Sequence, residues 1–106
     1  MSDPIIVFCT AGSMDEATEI GRCLVNEKLA ACVNLSKNLT SIYRWKNEIY
    51  EENEIMLIIK SDKRRLDELI KRIQELHSYE VPEIIALPII AGNEDYLTWL
   101  NENVKN

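Results

Sequence analysis

Two segments of the chain are continuously apolar instead of alternating between apolar and polar residues. Residues 5–8 and residues 55–59 are rich in strand-forming side chains, and neither segment contains a polar residue. Strands of this kind are usually buried on both faces of a sheet. The chain therefore needs a fold in which structure covers both faces of a central sheet.

Strand-like and helix-like segments alternate along the rest of the chain. Ser13 and Glu16 have the spacing of a capping box, which predicts a helix from this point to about residue 28. The pair Lys46-Asn47 separates two strand-like segments and predicts a hairpin. The predicted order is a strand over 5–10, the first helix, strands over 30–45 and 48–60, a helix that Ser61-Asp62 caps and that runs to about residue 77, a strand over 83–90 and a last helix capped by Asn93.

This order predicts an α+β fold of the ferredoxin-like type. A βαββαβ chain of this type forms a four-stranded antiparallel sheet with two helices on one face, and here an additional C-terminal helix follows. A length of 106 residues suits one domain, so we expect a single domain over residues 1–106. Because two helices cover only one face, the apolar strands indicate that a partner chain covers the other. The alternative is that the terminal helix folds across it.

The overall charge of the chain is negative. The 12 lysine and arginine residues and the 18 aspartate and glutamate residues give a formal net charge of -6. This charge argues against nucleic acid as a partner, because phosphate-binding domains are usually basic. The apolar run near the N-terminus is too short to span a membrane or to form a signal-peptide core. The sequence contains 3 cysteines, an odd number, and no CxxC motif. This predicts free thiols in a reducing compartment. We therefore expect a cytoplasmic protein with no nucleic-acid or membrane partner.

The sequence contains none of the common catalytic motifs, and we assign no catalytic residue. His77 opens the polar segment 77–83; it is either a metal ligand or a helix-end residue stabilised by the helix dipole. Cys9 lies in an apolar strand and is either a small buried residue or a thiolate that, beside an imidazole, would favour copper or zinc. The acidic stretch 51–54 is interpreted as solvated, with weak cation binding as the alternative.

Five blocks of the sequence resemble the CutA divalent-cation tolerance family. They are residues 30–34 (AACVN), 41–45 (SIYRW), 54–60 (EIMLIIK), 77–83 (HSYEVPE) and 96–100 (YLTWL). The blocks follow in the family's order over nearly the whole chain. The resemblance implies a ferredoxin-like fold assembled as a tight homotrimer, with a non-enzymatic role in the response to copper and other divalent cations.

The resemblance also implies the residues of a site. The family's proposed copper ligands correspond to Cys9 and His77 in this chain. Some members have a histidine pair where this chain has Leu76-His77, and Ser78 replaces the usual proline, so one candidate ligand is missing. Amphipathic aromatic side chains suit a boundary between subunits, where one edge of the ring stays wet. The expected inter-subunit pocket consists of Tyr43, Trp45, Lys60, Tyr79, Glu83 and Trp99.

Two other functions remain open from the sequence. One is a trimeric signalling or small-ligand-binding protein analogous to the nitrogen-regulatory PII proteins, although no long interaction loop is evident. The other is an enzyme that uses the cleft between subunits, where Lys60, His77, Tyr79 and Glu83 would converge. Metal content and bound organic ligand in the purified protein would discriminate among the three.

Overall fold

The computed structural model describes residues 2–106, and its helices and strands follow the predicted order. The elements are β1 (Pro4–Ala11), α1 (Met14–Asn26), β2 (Cys32–Trp45), β3 (Glu48–Asp62), α2 (Leu66–Leu76), β4 (Ile84–Pro88) and α3 (Glu94–Glu102). Met1, the first residue of the predicted domain, lies outside the described residues. None of the helices in the described part of the chain is long and apolar enough to cross a membrane.

The sheet confirms the predicted ferredoxin-like fold. Its four strands have the order β2-β3-β1-β4, and each neighbouring pair is antiparallel. Strand β1 therefore lies in the interior of the sheet, where Cys9 faces Leu57 on one side and Ile84 on the other. Strand β4 is an edge strand that ends at Pro88, two residues earlier than predicted, because proline cannot donate a hydrogen bond to continue the ladder.

The predicted caps of the first and last helices are present. Ser13 accepts a 3.2 Å hydrogen bond from the backbone N–H of Glu16, and Asn93 accepts a 2.9 Å bond from that of Asp95. These side chains satisfy N–H groups that the first turn of each helix leaves free. The first helix ends at Asn26, about two residues before the predicted end near residue 28.

The start of the second helix differs from the prediction. Asp62 accepts a 3.0 Å bond from the N–H of Arg64 and so caps a short 3₁₀ turn, Lys63–Arg65, that precedes α2. Ser61 takes no part in capping. Its hydroxyl is buried and donates a 2.6 Å bond to the carbonyl oxygen of Leu29.

The turn between β2 and β3 confirms the predicted hairpin. Lys46 and Asn47 have φ angles of 49° and 68°, so both central residues lie in the left-handed region. Two consecutive residues of this kind form the type of turn whose twist matches that of the paired strands. The hairpin extends the chain to a long shape, with principal extents of 44 × 25 × 22 Å.

Burial differs between the two faces of the sheet. Helices α1 and α2 cover one face, and the fully buried side chains there include Val7, Cys9, Leu57 and Ile59. On the other face, Ile85 and Leu87 of β4 keep exposed fractions of 54% and 50%. Leu100 of helix α3 and Val104, which follows the helix, pack against Ala31 and Ile89 instead of covering these two side chains. The apolar strands are therefore buried on one face and only partly covered on the other in a single chain.

Candidate functional site

Cys9 lies near the end of β1 in the hydrophobic core. Its side chain is fully buried, and its thiol donates a 3.7 Å hydrogen bond to the carbonyl oxygen of Thr10. Burial raises the pKa of the Cys9 thiol to about 12, and the negative charges of Glu83, Glu16 and Glu54 act in the same direction. The thiol is therefore neutral at physiological pH in this conformation.

His77 is the residue that follows α2, and its imidazole is buried with 8% of its surface exposed. The backbone N–H of Tyr79 donates a 3.1 Å bond to Nδ1, so Nε2 carries the proton of the neutral ring. Nε2 then donates a 2.7 Å bond to the carbonyl oxygen of Thr10. Cys9 and His77, the two predicted metal ligands, therefore approach the same carbonyl oxygen within one chain.

Tyr79 connects this buried pair with the surface. Its ring centroid lies 4.7 Å from that of His77, and its hydroxyl donates a 2.8 Å bond to Oε2 of Glu54. Burial raises the pKa of the Tyr79 hydroxyl, and its hydrogen bond to Glu54 raises it further. Gly12 leaves the space for this ring, because a Cβ atom at Gly12 would lie 3.1 Å from the Tyr79 hydroxyl oxygen.

A cavity of about 600 Å³ lies beside Tyr79, between the β2–β3 hairpin and the segment that leads into β4. We call it the aromatic–acidic cavity. Its lining residues are Thr10, Ser41, Ile42, Tyr43, Trp45, Glu52, Glu54, Tyr79, Glu80, Val81, Pro82 and Glu83. A volume of this size is typical of small-molecule sites.

The carboxylates of the cavity have no basic partner among residues 2–106. Glu54 is the most buried of them, with 8% of its surface exposed, and none of the four glutamates forms an ion pair with a described lysine or arginine. Glu52 accepts a hydrogen bond from the hydroxyl of Tyr43, and this bond raises the pKa of Tyr43 to about 12. The cavity therefore carries concentrated negative charge beside aromatic rings.

The structure brings together four of the six residues predicted for the inter-subunit pocket. Tyr43, Trp45, Tyr79 and Glu83 all line the aromatic–acidic cavity. Lys60 and Trp99 do not line it in the single chain. The Lys60 ammonium group hydrogen-bonds the side chain of Asn34, and the Trp99 ring packs 5.5 Å from that of Tyr96. Their contribution to a pocket in an assembled protein stays a prediction.

Sequence reasoning missed the part that Glu52 and Glu54 play in this cavity. Both lie in the acidic stretch that the sequence analysis interpreted as solvated, yet Glu54 is buried. Their spacing in the sequence could have predicted this. Residues two apart in a strand point to the same face of the sheet, so Glu52 and Glu54 lie on one face. Glu52 and Glu54 accordingly line one cavity, and Glu51 and Asn53 do not line it.

No group of three or more His, Cys, Asp or Glu side chains is arranged to hold a metal ion within residues 2–106. Cys9 and His77 do not fit a resident ion as they lie. The thiol is neutral, and both imidazole nitrogens are occupied by backbone groups of Thr10 and Tyr79. A ligand role for either residue requires it to give up its present hydrogen bond.

Comparison with known proteins identifies the family. The sequence pattern of the CutA1 divalent ion tolerance protein family matches residues 5–103. The divalent-cation tolerance protein CutA of Thermus thermophilus is 48% identical over 98 residues, which are 92% of this chain and 95% of the relative. The CutA protein of Arabidopsis thaliana, named as chloroplastic, is 37% identical over 96% of this chain, which spans 56% of that longer protein.

A solved structure gives the same result for the fold. The divalent cation tolerance protein from Thermus thermophilus superposes with a TM-score of 0.94 at 46% identity, covering 96% of this chain and 99% of the other. The family resemblance found in five sequence blocks is thereby confirmed, and the chain belongs to the CutA1 divalent ion tolerance protein family.

Proposed function

We propose that this protein takes part in the tolerance of divalent metal ions and binds copper or a similar divalent cation as a homotrimer. The observation that carries the proposal is the meeting of Cys9 and His77 at one carbonyl oxygen of Thr10, in a chain whose family is named for divalent-cation tolerance. A thiolate and an imidazole together suit copper. The negative charges of Glu16, Glu54 and Glu83, which disfavour a thiolate at Cys9, would favour a cation there.

Copper binding through these two residues calls for a rearranged site. The Cys9 thiol must lose its proton, and His77 must exchange the carbonyl oxygen of Thr10 for the ion. Two ligands are also too few, so water, a carboxylate or a neighbouring chain must complete the coordination. We therefore expect modest and reversible binding rather than a structural ion.

The homotrimer is supported by the partly covered face of the sheet. Ile85 and Leu87 are about half exposed, and Phe8 and Ile58 lie beside them on the same face. Contiguous apolar surface of this kind on a soluble protein usually marks an interface. A second copy of the chain would supply the layer that the continuously apolar strands require.

Two further parts of the proposal concern the location of the protein and its lack of enzymatic activity. A cytoplasmic location is supported by Cys9, Cys23 and Cys32, which are free thiols in the structure and suit a reducing compartment. A non-enzymatic role is supported by the names of the relatives, which describe tolerance proteins.

Copper titration under anaerobic conditions tests the metal proposal. We expect the wild-type protein to bind copper(II), and we expect Cys9→Ser and His77→Ala to bind it more weakly. Cys23→Ser serves as the control, because it removes a partly exposed thiol of α1 that is not one of the proposed ligands. Identical isotherms for wild type, Cys9→Ser and His77→Ala would reject both residues as ligands.

A small-ligand-binding trimer of the PII type is the second candidate function. The aromatic–acidic cavity favours it, because a volume of about 600 Å³ exceeds the needs of a single metal ion. An organic compound that co-purifies with the protein would support this function. Stoichiometric metal without such a compound would support metal binding alone.

A further inference from the structure

The Glu16 side chain bonds to a segment that is distant in the sequence. The glutamate of a capping box usually returns to the backbone N–H of the cap residue, which here is Ser13. The Oε2 atom of Glu16 instead accepts a 2.9 Å hydrogen bond from the backbone N–H of Ser78, 62 residues along the chain. Neither Glu16 nor Ser78 lines the aromatic–acidic cavity, and their bond lies within one chain. Glu16 therefore connects the start of α1 with the segment that follows α2.

This segment depends on contacts with other elements for its position, because residues 77–83 form neither helix nor strand. The imidazole of His77 bonds to a backbone carbonyl of β1, the N–H of Ser78 to Glu16 of α1, and the hydroxyl of Tyr79 to a glutamate of β3. Three consecutive residues are thus attached to three different elements.

The three attachments differ in their exposure to water. His77 and the glutamate that binds Tyr79 are both buried, whereas Ser78 is exposed and Glu16 is partly exposed. Water competes for an exposed donor and acceptor, so the net stabilisation by such a bond is small. Local opening begins where backbone hydrogen bonds are exposed. The Glu16–Ser78 bond is therefore the attachment that opens most readily.

The buried groups beside this segment are the Cys9 thiol and the His77 ring. Cys9 is fully buried, and its thiol and the His77 ring meet at one carbonyl oxygen of β1. Burial raises the pKa of the Cys9 thiol, and the charges of Glu83 and Glu16 add to the effect, which places the Glu16 carboxylate near the thiol. Displacement of the segment takes the imidazole off the carbonyl oxygen and uncovers the thiol.

We propose that Glu16 is a latch, whose bond to the Ser78 N–H keeps the segment closed over Cys9 and His77. Glu16 is a positioning residue in this inference and not a metal ligand. The inference rests on the proposed function for its role, because copper can reach His77 only when the ring leaves its carbonyl partner. The latch itself is tested without metal, so the result does not depend on copper binding.

The reactivity of the Cys9 thiol measures the opening in the full-length protein. N-ethylmaleimide reacts with a fully buried thiol only when the protein opens around it. Cys23 and Cys32 are partly exposed and are replaced by serine in the parent protein and in every variant, so that Cys9 is the one thiol left to label. Mass spectrometry gives the labelling rate.

Two substitutions at Ser78 test the bond and keep the charge of Glu16. Ser78→Pro removes the N–H donor, and Ser78→Ala retains it. His77 has φ and ψ of −81° and 140°, the extended conformation of a residue before proline, so the proline does not strain it. We expect Cys9 to be labelled about fivefold to tenfold faster in Ser78→Pro than in the parent and at the parent rate in Ser78→Ala. Equal rates in Ser78→Pro and the parent would overturn the proposal.

Two substitutions at Glu16 separate the hydrogen bond from the charge. Glu16→Gln and Glu16→Ala both remove the charge, but the amide oxygen of glutamine can still accept the Ser78 N–H. We expect faster labelling of Cys9 in Glu16→Ala than in Glu16→Gln. Glu19→Ala, at an exposed position of the same helix, is the control and keeps the parent rate. Equal rates in the two Glu16 variants would reject the latch.

Global stability and assembly are measured on the same proteins, by urea denaturation and by light scattering. The latch predicts faster labelling without a matching loss of global stability. It also predicts lower hydrogen-exchange protection of the Tyr79 N–H, which donates to His77. Labelling rates that simply follow the loss of global stability from variant to variant would show a general structural role for Glu16 and contradict the proposal.

Discussion

Nε2 of His77 lies 2.7 Å from the carbonyl oxygen of Thr10, the same oxygen that accepts the thiol of Cys9 at 3.7 Å. Cys9 and His77 are the copper ligands that the family resemblance implies. Through the Thr10 carbonyl oxygen they connect the end of α2 with the end of β1. A structural role and a ligand role make different predictions. Stability measured without metal reports the first, and copper affinity reports the second.

Replacement of His77 by alanine tests the structural role. His77→Ala removes the donor to the buried Thr10 carbonyl and the acceptor of the Tyr79 N–H. Because buried polar groups are left without partners, we expect the free energy of unfolding to fall by about 1–3 kcal/mol in metal-free buffer. Urea denaturation measures this change. Gln74→Ala, at an exposed position of α2, is the control, and an equal effect of the two substitutions would contradict the assigned role.

The buried Cys9 thiol predicts a loss of stability at alkaline pH. An unfolded cysteine ionises near its ordinary pKa of 9.0, whereas burial raises the pKa of Cys9 to about 12 in the folded protein. Between these values the folded state binds more protons, so stability falls as pH rises, by up to about 1.4 kcal/mol per pH unit. Tyr43 and Tyr79 add to the loss only from their ordinary pKa of 10.0 upward.

Denaturation between pH 8 and pH 10 isolates the Cys9 contribution. We expect Cys9→Ser, which cannot ionise in this range, to lose less stability than the wild type as pH rises. Cys23→Ser removes a partly exposed thiol and serves as the control. If Cys9→Ser and the wild type lose stability in parallel, ionisation of Cys9 does not drive the alkaline loss.

The fold was predictable from the sequence because its signals are local. Ser13 and Asn93 predict the starts of the helices that they cap, and the pair Lys46-Asn47 predicts the hairpin. The boundary errors have local causes as well. Asp62 caps a 3₁₀ turn instead of the α-helix, and Pro88 ends β4 early. The element order also predicted the four-stranded antiparallel sheet, because few topologies connect such elements with right-handed crossovers.

The site was predictable only in part, because it depends on contacts between distant segments. Tyr79 meets Glu54, which lies 25 residues away in the chain, and the acidic stretch alone gave no sign of that burial. The sequence likewise did not reveal that Cys9 and His77 share the Thr10 carbonyl. Residue types identified the candidates, but only the three-dimensional structure shows their partners.

Gly12 predicts a steric test of the Tyr79 position. A Cβ atom added at Gly12 would lie 3.1 Å from the Tyr79 hydroxyl oxygen, so the ring has to shift and its hydrogen bond to Glu54 weakens. We expect Gly12→Ala to destabilise the protein by about 1 kcal/mol and to change the near-UV signal of tyrosine. Gly92→Ala is the matched control, because its Cβ would meet Leu97 at an ordinary 3.4 Å. An unchanged spectrum in Gly12→Ala would show that the ring is not held as described.

The partly covered face of the sheet predicts where subunits meet. Ile85 is 54% exposed and Leu87 is 50% exposed in the single chain, and both belong to β4. If this face is buried in a homotrimer, Ile85→Lys or Leu87→Lys places an unpaired ammonium group inside the interface. Burying such a charge is costly, so the trimer dissociates at concentrations where the wild type stays assembled.

Val25→Lys is the control, because Val25 is 42% exposed on α1, outside the sheet. Light scattering measures the mass in solution, and circular dichroism establishes that each subunit is folded. A wild-type mass of one chain would reject the trimer. A full trimer mass in both β4 variants would place the interface on another surface.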